Sequence, residues 1–324
     1  MPRLPVGVIG VGALGQHHAR HLAGLREVRL VGIHDIDPIR AQQVAAELGT
    51  LVFPEMEALL ARVEAVTVAV PTPVHAEVGL QALGFGVPVL MEKPLAATLE
   101  EADRLIAAAD RRSLQLQVGH IERYNRALRA AEPYLDGPRY LESQRLAPFQ
   151  PRGTDVAVVL DLMIHDLDLV LHLTGGSTAT EVRASGISVL SPHLDLANAR
   201  VEFANGAVAQ ATASRVARER IRRLRLFQPN GYFSLDLASG GGEFMRVRQG
   251  WQPGTGRELA DVVERIALEA PHADALALEL QSFVHAVRGE REVVVRGEEG
   301  RAALALALRV ADAIRTQPLA VTTH

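Results

Sequence analysis

The sequence predicts an α/β protein with an N-terminal doubly wound parallel sheet and a C-terminal α+β domain built on a large, mainly antiparallel sheet. Strand-like and helix-like segments alternate up to residue 119, which is typical of βαβ crossover units. Beyond residue 120, strand-like segments follow one another directly, and two Asn-Gly dipeptides between them favour hairpins. A length of 324 residues suits two domains of ordinary size. We therefore predict domains at 1–119 and 120–324.

The first domain is predicted to contain about six strand–helix units. Pro38 suits the first turn of a helix and Gly49 its C-terminal stop. Short apolar segments predict strands at 4–12, 27–35, 51–53, 65–70, 87–91 and 114–118. The segments between and after them predict helices at 13–25, 37–49, 55–61, 74–84 and 98–112.

The second domain is predicted to combine four helices with a run of strands. The helices are expected at 123–132, 155–173, 273–288 and 300–315. The strands are expected at 139–146, 181–190, 194–203, 207–216, 222–228, 231–237 and 243–248. A sheet of this kind can cover helices with one face and a second subunit with the other, so we expect an oligomer.

The composition excludes several classes of protein. The chain has no cysteine, which removes disulfides, thiolate catalysis and cysteine-ligated zinc. A net charge of −4 argues against a nucleic-acid partner. The N-terminus lacks the pattern of a signal peptide, and no apolar run reaches about 18 residues, the length needed to span a membrane. The expected location is the cytoplasm, with no membrane partner.

A glycine-rich loop follows the first strand and opens the first helix. Residues 10–15, Gly-Val-Gly-Ala-Leu-Gly, match the dinucleotide-binding pattern G-x-G-x-x-G. In this pattern the first glycine allows a tight turn, the second a close approach to a pyrophosphate, and the third helix–strand packing. The predicted cofactor-binding residues of the loop are Gly10, Gly12, Ala13, Leu14 and Gly15. A purely structural glycine turn is the alternative.

Asp35 ends the second strand, twenty positions after Gly15. A carboxylate there can accept both ribose hydroxyls of NAD and would repel the 2′-phosphate of NADP. We therefore predict NAD rather than NADP. His17, His18 and His21 also lie on the first helix, but no nearby carboxylate completes a metal site, so no metal is predicted.

Lys93 is the only lysine among 34 Lys and Arg residues. A lysine amine is a compact donor whose pKa can be tuned, whereas arginine is a planar, permanently charged fork. Lys93 directly follows the fifth strand, at the sheet edge where open α/β folds bind ligands. Pro71, Thr72, His75 and Glu92 are expected at the same edge and, with Lys93, are predicted to bind the cofactor. Pro94 follows Lys93 and can give a cis bond.

A polar stripe runs along an otherwise apolar helix. Asp161, His165, Asp168 and His172 are spaced i, i+4, i+7 and i+11. We favour an Asp161–His165 pair in a cleft, in which the carboxylate orients the imidazole. His172 is interpreted as a satisfied core group, whereas Asp168 fits a core or a functional position equally well.

Together these motifs resemble the Gfo/Idh/MocA oxidoreductase family. The resemblance covers nearly the whole chain, from the glycine loop and Asp35 through "PTPVH" (71–75), "EKP" (92–94), "VGHIERYN" (118–125) and "DLMIHDLDL" (161–169) to the C-terminal helix. It implies a Rossmann domain, an open C-terminal sheet and a homodimer or homotetramer. It also implies that Lys93, Asp161 and His165 are catalytic residues.

The resemblance further implies reversible hydride transfer between a secondary hydroxyl of a sugar, nucleotide sugar or cyclitol and a nicotinamide. His165 would remove the hydroxyl proton, Asp161 would orient His165, and Lys93 would stabilise the alkoxide. The segment "GHIERYN" is similar to a subgroup that includes UDP-N-acetylglucosamine 3-dehydrogenases. Arg123 and Tyr124 would then contact substrate, unless they are surface positions. The alternative functions are a non-catalytic NAD or sugar sensor and, less favoured, a metal-assisted hydrolase.

Overall fold

The protein was described from a computed structural model that covers residues 2–150, 156–252 and 258–316. The chain divides into two compact units. The first comprises residues 1–121 and 273–304, and the second comprises 122–272 and 305–324.

The first unit contains a parallel sheet with the order β3-β2-β1-β4-β5-β6, six strands in the described part of the chain. This is the doubly wound arrangement that the sequence predicts. Strand order reverses between β1 and β4, which creates the crevice in which such sheets bind ligands. The strands are β1 (Leu4–Ile9), β2 (Val28–His34), β3 (Leu51–Val52), β4 (Ala65–Val68), β5 (Val89–Glu92) and β6 (Leu116–Gly119).

The helices of this sheet begin and end with local signals in the sequence. The side chain of Asp37 accepts the backbone N–H groups of Ile39 and Arg40, which caps the second helix. Thr98 and Glu101 form a capping box at the start of the fifth. The helices are α1 (Gly15–Gly24), α2 (Pro38–Leu48), α3 (Met56–Leu60), α4 (His75–Gly84) and α5 (Leu99–Asp110).

Residues 273–304 belong to the first unit, whereas the sequence prediction grouped them with the second domain. Helix α9 (Ala275–Val287) places Leu280, Phe283 and Val284 in the same buried cluster as Leu22 and Val8. The apolar periodicity of α9 shows that one face is buried, but it does not show which core that face covers. The last helix, α10 (Gly297–Thr316), contributes its first residues to this unit.

The second unit contains a sheet with the order β14-β13-β12-β11-β7-β10-β9-β8, eight strands in the described ranges. All neighbours are antiparallel except β7 and β10, which confirms the mainly antiparallel prediction. The strands are β7 (Tyr140–Leu146), β8 (Ala179–Ile187), β9 (Leu196–Phe203), β10 (Val208–Ser214), β11 (Ile221–Gln228), β12 (Gly231–Asp236), β13 (Gly241–Val247) and β14 (Val263–Leu268).

Both hairpins predicted from Asn-Gly form, but only one turns at that dipeptide. Asn205 and Gly206 lie in the loop between β9 and β10, with Gly206 at φ +82°. Between β11 and β12 the turn consists of Pro229 and Asn230, and Gly231 already pairs with Gln228. The glycine there is needed for close packing, because an added Cβ would lie 2.3 Å from the Met245 carbonyl oxygen.

The remaining helices of this unit are α6 (Arg126–Ala131), α7 (Ile164–Leu173) and the short α8 (Leu259–Val262). A π-helical turn, Val159–Met163, directly precedes α7. The predicted start of this helix, Asp155, lies outside the described residues. Within the described ranges no helix combines the length and apolar character needed to cross a bilayer.

Candidate active site

The glycine loop of the first unit has the geometry of a dinucleotide site. Gly10 adopts φ +81°, and a Cβ at Gly15 would lie 1.8 Å from the Gly10 carbonyl oxygen. Both positions therefore require glycine. Gly12 has open space above it, where the nearest atom to an added Cβ is 3.8 Å away. The loop thus leaves its backbone accessible where a pyrophosphate would approach.

Three backbone amides of this loop are available to a ligand. The N–H groups of Gly12, Ala13 and Leu14 make no hydrogen bond to any described part of the chain. They lie at the N-terminal end of α1, where the helix dipole favours an anion. The residues present therefore fit the pyrophosphate of a nicotinamide dinucleotide, and the loop would hold it through backbone donors.

Asp35 is held rigidly beside this loop. Its Oδ2 accepts the Val11 N–H at 2.8 Å and its Oδ1 accepts the Asp37 N–H at 2.8 Å. The Arg40 guanidinium lies 3.6 Å from Oδ1. Arg40 also lines a cavity of about 500 Å³ with Gly12 and other residues of α1 and α2. A negative and a positive side chain thus stand together where the sequence predicts the adenosine ribose.

Lys93 lies just past the end of β5 and is partly exposed. Its bond to Pro94 is cis, as the sequence suggested. The preceding residue, Glu92, is buried, and its Oε2 accepts the Lys93 backbone N–H at 3.2 Å. The other oxygen, Oε1, lies 2.9 Å from Nε2 of the buried His18. His18 is therefore part of the support behind Lys93.

Among the residues predicted near β4, only His75 is buried. Its Nδ1 lies 2.8 Å from the Pro94 carbonyl oxygen and its Nε2 lies 2.9 Å from that of Val70. Burial lowers the pKa of His75 despite these carbonyls, so at neutral pH the ring carries one N–H, which only one carbonyl accepts. His75 thus ties the β4 end to the segment after Lys93. Pro71 and Thr72 lie on the surface rim.

In the second unit, Asp161 lies in the π-helical turn and His165 in the first turn of α7. Both side chains are partly exposed. Short π-helical turns within α-helices are frequent at functional sites. An Asp161 oxygen lies 4.0 Å from Nη2 of Arg215. The two predicted catalytic residues therefore flank the junction between the π turn and the α-helix.

The other residues of the polar stripe have different roles. Asp168 is buried and accepts two hydrogen bonds from Arg123, with Nε–Oδ2 at 2.7 Å and Nη2–Oδ1 at 2.8 Å. His172 is exposed and is not the core group expected from sequence. Tyr124 is also buried. Arg123 and Tyr124 are therefore not surface positions, and Nε and Nη2 of Arg123 are both bound by Asp168.

A second buried ion network was not foreseen from sequence. Arg145 donates Nε and Nη2 to Asp166 at 2.9 and 3.0 Å, and Nη1 to Glu122 at 2.8 Å. Burial alone would lower the pKa of Arg145, but the two carboxylates outweigh it and raise it. The network joins α7 and the segment 121–124 to β7. Among the described residues no group of three or more His, Asp or Glu is arranged as a metal site.

Comparison with known proteins agrees with this fold. Residues 4–120 match the oxidoreductase family with an NAD-binding Rossmann fold, and residues 136–234 match the GFO/IDH/MocA C-terminal domain. A UDP-N-acetylglucosamine 3-dehydrogenase from Acidithiobacillus ferrooxidans is 42% identical over 97% of this chain and 98% of its own. A crystal structure of that enzyme superposes with a TM-score of 0.90.

More distant relatives match less. An inositol 2-dehydrogenase from Ralstonia nicotianae is 36% identical, over 53% of this chain and 55% of its own. The structure of GenD2 from gentamicin A biosynthesis, in complex with NAD, shares the fold with a TM-score of 0.81 at 21% identity, over 98% of this chain and 95% of its own.

The dinucleotide loop and the two sheets define a two-domain nicotinamide-dependent oxidoreductase. The chain belongs to the Gfo/Idh/MocA family. It is an NAD(P)-dependent dehydrogenase acting on a CH–OH group, which confirms the family, fold class and enzyme class predicted from sequence.

Proposed function

We propose that the protein oxidises the C3 hydroxyl of UDP-N-acetylglucosamine or a closely related UDP-sugar, with NAD as the acceptor. The observation that carries this proposal is the 42% identity to a UDP-N-acetylglucosamine 3-dehydrogenase over 97% of this chain and 98% of that enzyme. The inositol dehydrogenases match over only about half of either chain. The short segment "GHIERYN" points the same way.

The proposed chemistry assigns one role to each of three side chains. His165 takes the proton of the reacting hydroxyl, Asp161 orients the imidazole, and Lys93 donates a hydrogen bond to the oxygen as negative charge develops. NAD, which the glycine loop and Asp35 would hold, would supply the hydride acceptor, so the products would be a ketone, NADH and one proton. These roles rest on the family resemblance and on the partial exposure of all three side chains.

The supports behind these groups are built into each unit separately. Glu92, anchored by His18, holds the backbone of Lys93 in the first unit. In the second unit, the Arg145 network fixes α7, which carries His165. Such fixed positioning matters because general acid–base catalysis requires the base within hydrogen-bond reach of the proton it removes.

NAD is proposed over NADP because the negatively charged carboxylate of Asp35 is held beside the glycine loop. Two backbone N–H groups fix it there. In that position it can accept ribose hydroxyls and would repel a 2′-phosphate. The neighbouring Arg40 partly offsets this repulsion. We therefore expect NADP to bind more weakly than NAD but not to be excluded.

We propose that the protein forms a homodimer or homotetramer, the assemblies that the family resemblance implies. Tyr140, Phe227 and Tyr232 form an aromatic cluster on the second sheet, with Phe227 41% exposed. An exposed aromatic cluster of this kind suits a protein interface. Light scattering coupled to size-exclusion chromatography measures the mass directly.

The test of the function is a substrate panel. The purified protein is mixed with NAD, and separately with NADP, against UDP-N-acetylglucosamine, free N-acetylglucosamine and inositols, and the absorbance of reduced cofactor is followed. We expect reduction with NAD and the UDP-sugar. Reduction with inositol but not with the UDP-sugar would overturn the proposed substrate.

A further inference from the structure

An arginine-lined cavity lies beside Asp161 in the second unit. Its volume is about 190 Å³. Its lining includes Asp161, Gln150 and four arginines, Arg145, Arg215, Arg220 and Arg222. Four guanidinium groups around one small cavity are costly to assemble unless anions compensate them, because like charges repel strongly where water is excluded.

The sheet topology creates this concentration of charge. Strands β11, β7 and β10 are neighbours, and β11 runs antiparallel to β7 while β10 runs parallel to it. The start of β11 therefore meets the ends of β7 and β10. Arg222 lies directly opposite Arg145 in the strand register, and Arg215 follows the last residue of β10. Like charges directly opposite each other destabilise a strand pair.

Two of the four arginines are already engaged by the protein. Arg145 uses Nε, Nη1 and Nη2 to bind Asp166 and Glu122. Arg215 donates to the Val156 carbonyl oxygen at 2.5 Å. These two side chains form the wall of the cavity, and we do not expect them to bind the ligand.

Arg220 and Arg222 differ from them. Arg222 Nη1 lies 3.8 Å from Glu122, beyond hydrogen-bond distance, and that carboxylate is already bound by Arg145. Burial lowers the pKa of Arg222, and the positive charges of Arg145 and Arg220 lower it further. Within the described ranges Arg220 is exposed and forms no ion pair. An anion bound between these two guanidinium groups would relieve the repulsion.

We propose that Arg220 and Arg222 bind the diphosphate of a nucleotide-sugar substrate in this cavity, an inference that rests on the proposed function. Guanidinium forks match phosphate oxygens in bidentate geometry. Asp161 lines the same cavity, so a diphosphate held by the arginines places its attached sugar on the side of Asp161. A free sugar or cyclitol carries no charge and would bring no anion to either arginine.

The diphosphate of a UDP-sugar must be distinguished from the pyrophosphate of the dinucleotide. The glycine loop of the first unit already offers three backbone amides to the latter. The arginine cavity therefore predicts a separate site. We expect UDP and NAD to bind simultaneously, without competing for one site.

The test measures UDP binding by calorimetry in three proteins: the wild type, the double variant Arg220→Gln/Arg222→Gln, and the control Arg223→Gln. Arg223 neighbours Arg222 on β11, but successive side chains point to opposite faces of a sheet. Arg223 pairs in register with Asp236 and does not line the cavity. The control thus removes one charge from the same strand at the opposite face.

We expect the double variant to weaken UDP binding about tenfold or more, because it removes both charge-assisted contacts to the diphosphate. The control should stay within about twofold of the wild type, and NAD affinity should be unchanged in all three. Equal UDP affinity in the wild type and the double variant, or no UDP binding to the wild type, would overturn the proposal. Circular dichroism melting confirms that each variant is folded.

Turnover with UDP-N-acetylglucosamine is measured on the same proteins and separates the two proposals. Turnover in the wild type with an unchanged KM in the double variant would remove the diphosphate site but leave the function standing. Turnover with a raised KM supports both. No turnover of any UDP-sugar by the wild type, with oxidation of a free sugar, would remove the proposed function itself.

Discussion

Nε2 of His18 lies 2.9 Å from Oε1 of Glu92, and both side chains are buried. This hydrogen bond joins α1, which follows the glycine loop, to the end of β5, one residue before Lys93. The same carboxylate also accepts the Lys93 backbone N–H. The dinucleotide loop and the lysine are therefore held by one buried carboxylate, which makes Glu92 a positioning residue for both.

Replacing Glu92 by glutamine should change how stability depends on pH. Burial alone would raise the pKa of Glu92, but the hydrogen bond from His18 and the favourable electrostatic interactions with His18 and Lys93 outweigh it, so its pKa lies below the ordinary value. The carboxylate therefore stabilises the fold fully above an unfolded pKa of about 4.3, and this contribution is lost as pH falls through the lower folded pKa.

The measurement is the free energy of unfolding of wild type and Glu92→Gln at several pH values. We expect the wild type to be more stable by about 1–3 kcal/mol near neutral pH, with the difference shrinking below about pH 4.5. The control is Glu47→Gln, which disrupts the exposed ion pair with Arg20 and should lower the stability much less than Glu92→Gln, because solvent screens exposed pairs. A difference that grows on acidification would contradict the assignment.

Lys93→Arg should abolish most turnover. Arginine keeps the positive charge but is larger, planar and permanently protonated, so it cannot replace a compact amine at the reacting oxygen. We expect kcat to fall about 10²–10⁴-fold, with NAD affinity nearly unchanged. The matched control is the reverse exchange, Arg104→Lys, at an exposed position on α5. Near-normal activity of Lys93→Arg would remove Lys93 from the mechanism.

Asp35→Asn should shift the cofactor preference toward NADP. The substitution removes the charge that repels a 2′-phosphate, while Arg40 remains 3.6 Å from the nearer Asp35 oxygen and could pair with the phosphate. We expect the ratio of NADP to NAD affinity to rise about tenfold or more. Titration by fluorescence of each reduced cofactor measures this ratio.

The control for Asp35→Asn is Asp37→Asn. Asp37 also pairs with Arg40, at 3.0 Å, and caps α2, where asparagine caps equally well. The Asp37→Asn variant therefore removes one negative charge two residues from Asp35 without disturbing helix α2. A similar shift in both variants would show that general charge, rather than the position of Asp35, sets the preference.

Asp168→Asn should destabilise the protein without a direct effect on substrate. The Arg123–Asp168 pair is bidentate and buried, and breaking a buried pair typically costs about 3–5 kcal/mol. Chemical denaturation should show this loss, whereas KM should stay within about threefold of the wild type. For comparison, Glu264→Gln breaks an exposed pair with Arg246 and should lower the stability much less than Asp168→Asn, because solvent screens exposed pairs. A large KM change with unchanged stability would assign Arg123 to substrate binding.

The parts of the fold that sequence predicted well are those specified locally. The glycine loop, the N-terminal βα units and the hairpins each depend on residues within a few positions of one another. Strand β14 was missed because its residues, including Glu264 and Arg265, are good helix formers, and only pairing with β13 makes it a strand. The strand conformation of this segment thus depends on a tertiary contact and not on local sequence.

The site was predicted less completely because its supports depend on distant partners. Nothing near His18 in the sequence indicates that it meets Glu92, 74 positions away. The arginine-rich segment 215–225 was a usable signal, but only the strand order shows that Arg222 faces Arg145. The strict i, i+4 spacing of the polar stripe also failed to reveal the π-helical turn at Asp161.

The central claim is tested most directly by isotope transfer. UDP-N-acetylglucosamine carrying deuterium at C3 of the sugar is incubated with the enzyme and NAD, and the cofactor is analysed by mass spectrometry. The account predicts deuterium on the reduced nicotinamide and a 3-keto sugar product. Reduced cofactor without deuterium, or no reduced cofactor from this substrate under conditions in which another sugar is oxidised, would contradict it.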